Sequence, residues 1–281
     1  MLSNPSRQTD LRGDANGHLP WLRYSSLMST QAPKLPWLAP GSAFPEPSLA
    51  WGASTPAPGL LAAGGGLDLD TLQKAYSRGI FPWFGEGQPV LWWSPDPRMV
   101  LQTAQFVVHP SLKKTIRKFA RMPGCEIRFD TAFRDVIQAC SSARRSGQAG
   151  TWILPPMIEA YCELHYAGLA HSVESWINGK LVGGLYCVAL GGAVFGESMF
   201  SLASDTSKIA LAALVAFCRQ HGIHQIDCQQ NTAHLASLGA KEVHRAQFLA
   251  GVAIELKRPE PTWQFDPLFW AWIMPSGTTT K

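Results

Sequence analysis

The chain has 281 residues, of which 46% are hydrophobic and 16% charged, and it carries a formal net charge of +4. That length supports one sizeable core, or a medium domain with a small one beside it. A charge of only +4 does not by itself establish nucleic-acid binding, so the distribution of the cations has to be read instead.

Residues 1–34 are polar, with scattered Pro, Gly and Ser and no sustained period, and they read as a disordered extension. The first 30 residues lack the continuous apolar core of a secretory signal. The six Cys lie mostly in apolar runs. Both features suit a cytoplasmic protein with reduced, buried thiols. Residues 35–98 are rich in Pro, Gly and Trp and read as a small N-terminal domain. Inside it Asp68 can cap a helix with Leu69, Leu72 and Tyr76 at helical spacing and Gly79 as its stop. Short strands or loops are expected at 79–83 and 90–98.

From residue 99 to 260 the pattern becomes that of a mixed-sheet α+β domain, followed by a tail over 261–281. Helices are predicted near 110–121, 131–145, 155–168, 204–221 and 232–238. Strands are predicted near 98–101, 126–129, 170–177, 181–190, 193–198, 223–228 and 249–257, with Gly191-Gly192 as a hairpin turn. The apolar stretch from Leu181 to Gly196 is shorter than the roughly 20 residues a membrane span needs. It reads as two buried strands, and no membrane partner is expected.

Three constellations can carry chemistry. On the helix near 110–121, Lys113, Lys114, Arg117, Lys118 and Arg121 fall on one side, and Leu112, Ile116, Phe119 and Ala120 on the other. Five cations without an intervening acid suit a row of phosphates as well as a solvated face, and Arg144 and Arg145 extend the patch. In F-G-E-S-M-F at 195–200, Glu197 follows a buried apolar strand and needs a partner. The partner is Lys208 on the next helix, or a ligand ammonium such as the α-amino group of an amino acid. In I-D-C-Q at 226–229, strand alternation puts Asp227 and Gln229 on one face. There they form either a satisfied buried pair or a group that orients an amine and accepts its proton.

Other chemistries lack their signals. Cys218, His221, His224 and Cys228 span a helix end, a Gly and a strand, so their side chains diverge and no metal site is expected. His165 and His171 read as structural. No Walker loop or G-x-G-x-x-G follows a strand. The junction S-L-A-S-D-T-S-K at 201–208 lacks the glycines of a coenzyme A pyrophosphate turn.

Several strings, in order over roughly residues 40–250, resemble the leucyl/phenylalanyl-tRNA–protein transferase family. They are G-L-L-A-A-G-G-G-L at 59–67, A-Y-S-R-G-I-F-P-W at 75–83, L-W-W-S-P-D-P-R at 91–98, G-T-W-I at 150–153, H-S-V-E at 171–174, L-V-G-G-L-Y at 181–186, F-G-E-S-M-F-S at 195–201, I-D-C-Q at 226–229 and A-S-L-G-A at 236–240. The resemblance implies a small N-terminal domain joined to an acetyltransferase-like domain. It implies transfer of Leu or Phe from leucyl-tRNA or phenylalanyl-tRNA to the α-amine of proteins beginning with Arg or Lys, marking them for N-degron degradation. No cofactor is implied, because the ester is already activated.

On the same basis Glu197 holds the α-amino group of the aminoacyl moiety. Gln229 orients the acceptor amine, and Asp227 polarises Gln229 or takes the proton. Trp83 and Trp152, with Tyr76 and Tyr161 beside them, line the terminal adenosine. Leu185, Val194, Met199, Leu211 and Ile226 surround the amino-acid side chain, with Val194 where the family has a bulkier aromatic. The basic helix grips the tRNA backbone. The competing readings are a coenzyme A-dependent N-acetyltransferase and a non-enzymatic tRNA-binding module.

Overall fold

The computed structural model describes residues 34–143 and 151–274. The expected N-terminal extension apart from Lys34, the pair Arg144 and Arg145, and residues 275–281 therefore lie outside the described residues.

The first part of the chain builds a small sheet from β1 (Trp37–Leu38), β2 (Leu60–Gly64), β3 (Phe81–Pro82) and β4 (Leu91–Trp93), in the order β1-β2-β4-β3. Between β2 and β3 lies α1 (Leu69–Ser77). Asp68 caps it as expected, accepting from Thr71 N at 3.0 Å and from Thr71 Oγ1 at 2.7 Å. The buried residues Thr71, Leu72, Ala75 and Tyr76 repeat at helical spacing and turn one face inward. Asp68→Ala should therefore cost about 1 kcal/mol in chemical denaturation. A loss within error of zero would mean that packing of this face alone holds the helix.

The second sheet has seven strands in the order β11-β5-β10-β9-β8-β7-β6. They are β5 (Arg98–Gln102), β6 (Cys125–Phe129), β7 (Ala170–Ile177), β8 (Lys180–Leu190), β9 (Ala193–Ser201), β10 (Gln225–Gln229) and β11 (Lys241–Val243). All neighbours are antiparallel except the parallel pair β9 and β10. The mixed-sheet α+β class expected from the sequence is observed. The β8–β9 hairpin turns at Gly191, whose φ of +58° puts it in the left-handed region that glycine tolerates.

The helices are α2 (Pro110–Arg121), α3 (Phe133–Ser142), α4 (Pro155–Tyr166), α5 (Thr206–Gln220), α6 (Ala233–Ser237) and α7 (Arg245–Glu255). Strand alternation on β8 divides the core in two. Leu185, Cys187 and Ala189 pack with α5 and α2, while Tyr186, Val188 and Leu190 join α3, α4, α1 and the small sheet. The small sheet therefore shares a continuous core with one face of the large one.

Two expectations change. The strand predicted at 249–257 is the helix α7, because its buried positions fall at helical rather than alternate spacing: the apolar Phe248 and Val252 and the carboxyl-bearing Glu255. The edge of the sheet is instead filled by the short β11. In the tail predicted over 261–281, the described residues up to 274 pack against the rest of the protein. Trp263 stacks on His171 with centroids 3.8 Å apart, and Trp270 and Ile273 bury against the α5 layer. On α2, Ala120 is exposed, so only Leu112, Ile116 and Phe119 anchor that helix.

Candidate active site

The parallel strands β9 and β10 pair only at Val194 with Ile226 and Phe195 with Asp227. Beyond that point they part, and a cavity of about 320 Å³ opens between them. Phe81, Trp83 and Trp152 line it on the side of the small sheet. Leu185, Met199, Leu211, Leu214 and Ile226 line the α5 side. Glu197, Gln229, Thr232 and His234 supply polar groups. An apolar pocket with a few convergent polar atoms is the usual form of a small-molecule site.

Glu197 belongs to the segment of β9 beyond its last pairing with β10, at a register shift against β8 between Tyr186 and Cys187. Its Oε1 accepts from Tyr76 Oη at 2.7 Å and from Gln229 Nε2 at 2.9 Å, and its Oε2 accepts from Tyr161 Oη at 3.3 Å. The two phenols also hydrogen-bond each other. Burial pushes the Glu197 carboxyl up to about 7, against the opposing pull of the Tyr76 hydrogen bond and with help from the nearby Asp227 charge. Burial likewise raises both phenols well above their ordinary value, so they remain protonated donors. No cation reaches this carboxylate among the described residues. Lys208, the structural partner considered for it, pairs with Asp205 at 2.7 Å. The site therefore presents a carboxylate that is hydrogen-bonded but not neutralised.

Asp227 and Gln229 do not share a strand face. The register against β5 shifts between them, and Gln229 takes a φ of +60°. This kink turns the two side chains apart. Gln229 reaches the cavity and Glu197, while Asp227 points into the protein, where 1% of its side chain is exposed. There it forms two bonds with Arg98, Nε to Oδ1 at 2.8 Å and Nη2 to Oδ2 at 2.6 Å. Its Oδ1 also accepts from the Gln229 backbone N–H at 2.9 Å. Arg98 lies between the rings of Phe81 and Phe248, at 4.8 Å and 4.6 Å, and donates to Gly79 O at 3.2 Å. No role was assigned to Arg98 from the sequence, yet a cation opening the apolar strand R-M-V-L demands a buried partner.

Of the adenosine-lining candidates, Trp83 and Trp152 stand on the cavity wall. Tyr76 and Tyr161 are behind it, 1% and 0% exposed, holding Glu197. Of the amino-acid pocket candidates, Leu185, Met199, Leu211 and Ile226 line the cavity, but Val194 does not. Val194 is buried in the α5-side core, where β9 still pairs with β10. Leu214, Thr232 and His234 are wall residues that the sequence pattern did not single out, and Cys228, considered there only for a metal, also stands on the wall. Burial pushes the Cys228 thiol up to about 12, which leaves it protonated and unsuited as a nucleophile.

The family model described as leucyl/phenylalanyl-tRNA protein transferase matches residues 100–253, and that of its N-terminal domain matches residues 65–96. The leucyl/phenylalanyl-tRNA–protein transferase of Albidiferax ferrireducens is 65% identical, over 88% of this chain and 97% of that protein. The protein of the same name from Polaromonas sp. (strain JS666) is 61% identical, over 88% and 96%, and that of Leptothrix cholodnii 57%, over 84% and 94%. The chain belongs to the leucyl/phenylalanyl-tRNA protein transferase family.

In this leucyl/phenylalanyl-tRNA protein transferase family member, α2 packs beside β6 and α5 on the same side of the sheet as the aliphatic half of the cavity. Lys114, Arg117, Lys118 and Arg121 are exposed and Lys113 half-buried, and none of the five forms an ion pair with an acid among the described residues. No helix among the described residues is long and apolar enough to cross a membrane.

Proposed function

We propose that the cavity between β9 and β10 holds the aminoacyl end of leucyl-tRNA or phenylalanyl-tRNA, and that the amino acid passes from it to the N-terminal amine of a protein beginning with Arg or Lys. The protein is an aminoacyltransferase of its family. The observation that carries the placement is the un-neutralised Glu197 carboxylate at the edge of an aliphatic pocket. An α-ammonium is the group that completes it, with a leucine or phenylalanine side chain on Leu185, Met199, Leu211 and Ile226. Trp83 and Trp152 on the opposite wall offer ring faces to an adenine.

Gln229 donates its amide N–H to Glu197, which leaves its carbonyl oxygen to accept from the incoming amine. Asp227 acts through Gln229. Fixed by Arg98, it holds the Gln229 backbone in the kink that aims this side chain. Such positioning converts a bimolecular encounter into an oriented attack on the ester carbonyl. Modified proteins would then be marked for N-degron degradation in the cytoplasm.

The test is transfer of radiolabelled leucine from leucyl-tRNA to a protein beginning with Arg, beside a Gly-starting control. Label on the Arg protein alone is expected. No label from folded protein and intact leucyl-tRNA would overturn the reading.

The unpaired cations of α2 support a grip on the tRNA backbone, which positions without reading sequence. Reversing Lys113, Lys114 and Arg117 to Glu should weaken tRNA binding and reduce the slope of log affinity against log salt by about 3, roughly one for each phosphate contact. An unchanged slope would make this face a merely solvated one.

A further inference from the structure

The cavity has four titratable wall residues among those described: Tyr186, Glu197, Cys228 and His234. A phenol and a thiol both hold their protons near neutral pH, and burial raises the Cys228 thiol further. Both Glu197 oxygens are engaged by Tyr76, Tyr161 and Gln229. Asp227, the carboxylate expected to take a proton, is off the cavity and tied through both oxygens to Arg98. His234 remains. Its backbone is pinned in α6, where Thr232 caps the helix by accepting from Leu235 N at 3.2 Å and Ser237 Oγ donates to His234 O at 2.6 Å. His234 is an exposed residue on the cavity wall, and its imidazole makes no hydrogen bond among the described residues.

We propose that His234 is the proton shuttle of the transfer reaction, taking the proton from the acceptor amine and delivering it to the departing 3′-oxygen of the tRNA. This rests on the aminoacyl-transfer reading above. The lone pair of the acceptor amine attacks the ester carbonyl carbon and a C–N bond forms. The nitrogen, now positively charged, passes one proton to the neutral imidazole of His234. The imidazolium then gives that proton to the ribose 3′-oxygen as the C–O bond breaks. The products are an amide and a free 3′-hydroxyl, and the imidazole returns neutral.

The surroundings favour the neutral form that this step starts from. Loss of water on the cavity side, and then the charge of Lys208 on α5, hold the His234 imidazole below its ordinary value. Lys208 is in turn paired with Asp205, and the other charged or titratable groups on the wall are Tyr186, Glu197 and Cys228.

The experiment is single-turnover leucine transfer from saturating leucyl-tRNA to an Arg-starting protein, from about pH 5.5 to 9, for wild type, His234→Gln and His234→Ala. Leucyl-tRNA affinity is measured in parallel. Both variants should lose about 100-fold in transfer rate with nearly unchanged tRNA affinity. Their acid limb should lose one ionisation and keep that of the acceptor amine, and free imidazole should restore part of the rate in His234→Ala. A wild-type rate and pH profile in His234→Gln would overturn the proposal, as would a defect confined to leucyl-tRNA affinity. Wild-type protein that transfers no label would instead overturn the underlying reading.

Discussion

Glu197→Gln will lower leucine transfer by about 100-fold or more in kcat/KM for leucyl-tRNA, without loss of fold. The expected size follows from removing one member of a partly desolvated charge pair, which costs roughly 2–5 kcal/mol. The amide keeps the shape and can still meet Tyr76, Tyr161 and Gln229, so the change isolates the charge. The sign of the pH effect follows from burial. The carboxyl is raised from its ordinary 4.5 to about 7, so its ionised form is the one the fold disfavours. Its contribution to folding stability is present below the unfolded value and is lost as pH rises through about 7. Aminoacyl-tRNA binding runs the opposite way. On the proposed placement it should tighten as Glu197 ionises, until the substrate's own α-amine deprotonates near 8. Glu197→Gln should therefore be as stable as wild type or more so above pH 7, and should bind leucyl-tRNA weakly with no inflection there. Wild-type affinity in this variant would remove the ammonium from the Glu197 site.

Arg98→Met is expected to destabilise the protein by about 3–5 kcal/mol and to abolish transfer. The first effect arises because Asp227 would be left charged and unpaired where 1% of its side chain is exposed. The second arises because the same carboxylate anchors the backbone of Gln229 at its φ of +60°, a conformation that a non-glycine residue holds only when its surroundings enforce it. Arg98→Lys retains the charge but has no planar fork to match both carboxylate oxygens, so it should recover only part of either loss. Urea denaturation and the transfer assay, run on the same preparations, check the two effects together. A stability loss below about 1 kcal/mol would mean that Asp227 is not held as a buried anion.

Apart from α7, the helices and most strands of the large sheet were legible because their apolar residues recur at 3.6 or 2 residues, and because Asp68 and Gly191 mark a helix start and a turn. The segment 249–257 misled because its mostly apolar stretch from Leu249 to Ile254 shows no clear period. What decided it was burial of Phe248, Val252 and Glu255 at helical spacing, with the Phe248 ring against Arg98. Glu197 could be found from sequence because a carboxylate beside a buried strand is costly and demands an explanation.

By itself the sequence determined the α+β class, the family, the cationic helix, and the identity of the acid and amide at the site. Those are properties of local pattern and residue chemistry. Only the tertiary structure decided what these groups do to one another. Parting of β9 from β10 makes the cavity, and the kink after Asp227 sends that carboxylate to Arg98 and Gln229 to Glu197. The phenols of Tyr76 and Tyr161, far apart in the chain, close on Glu197 from behind. A backbone at positive φ and a bond between residues 129 positions apart leave no trace in composition or periodicity, because both depend on which surfaces the folded core brings into contact.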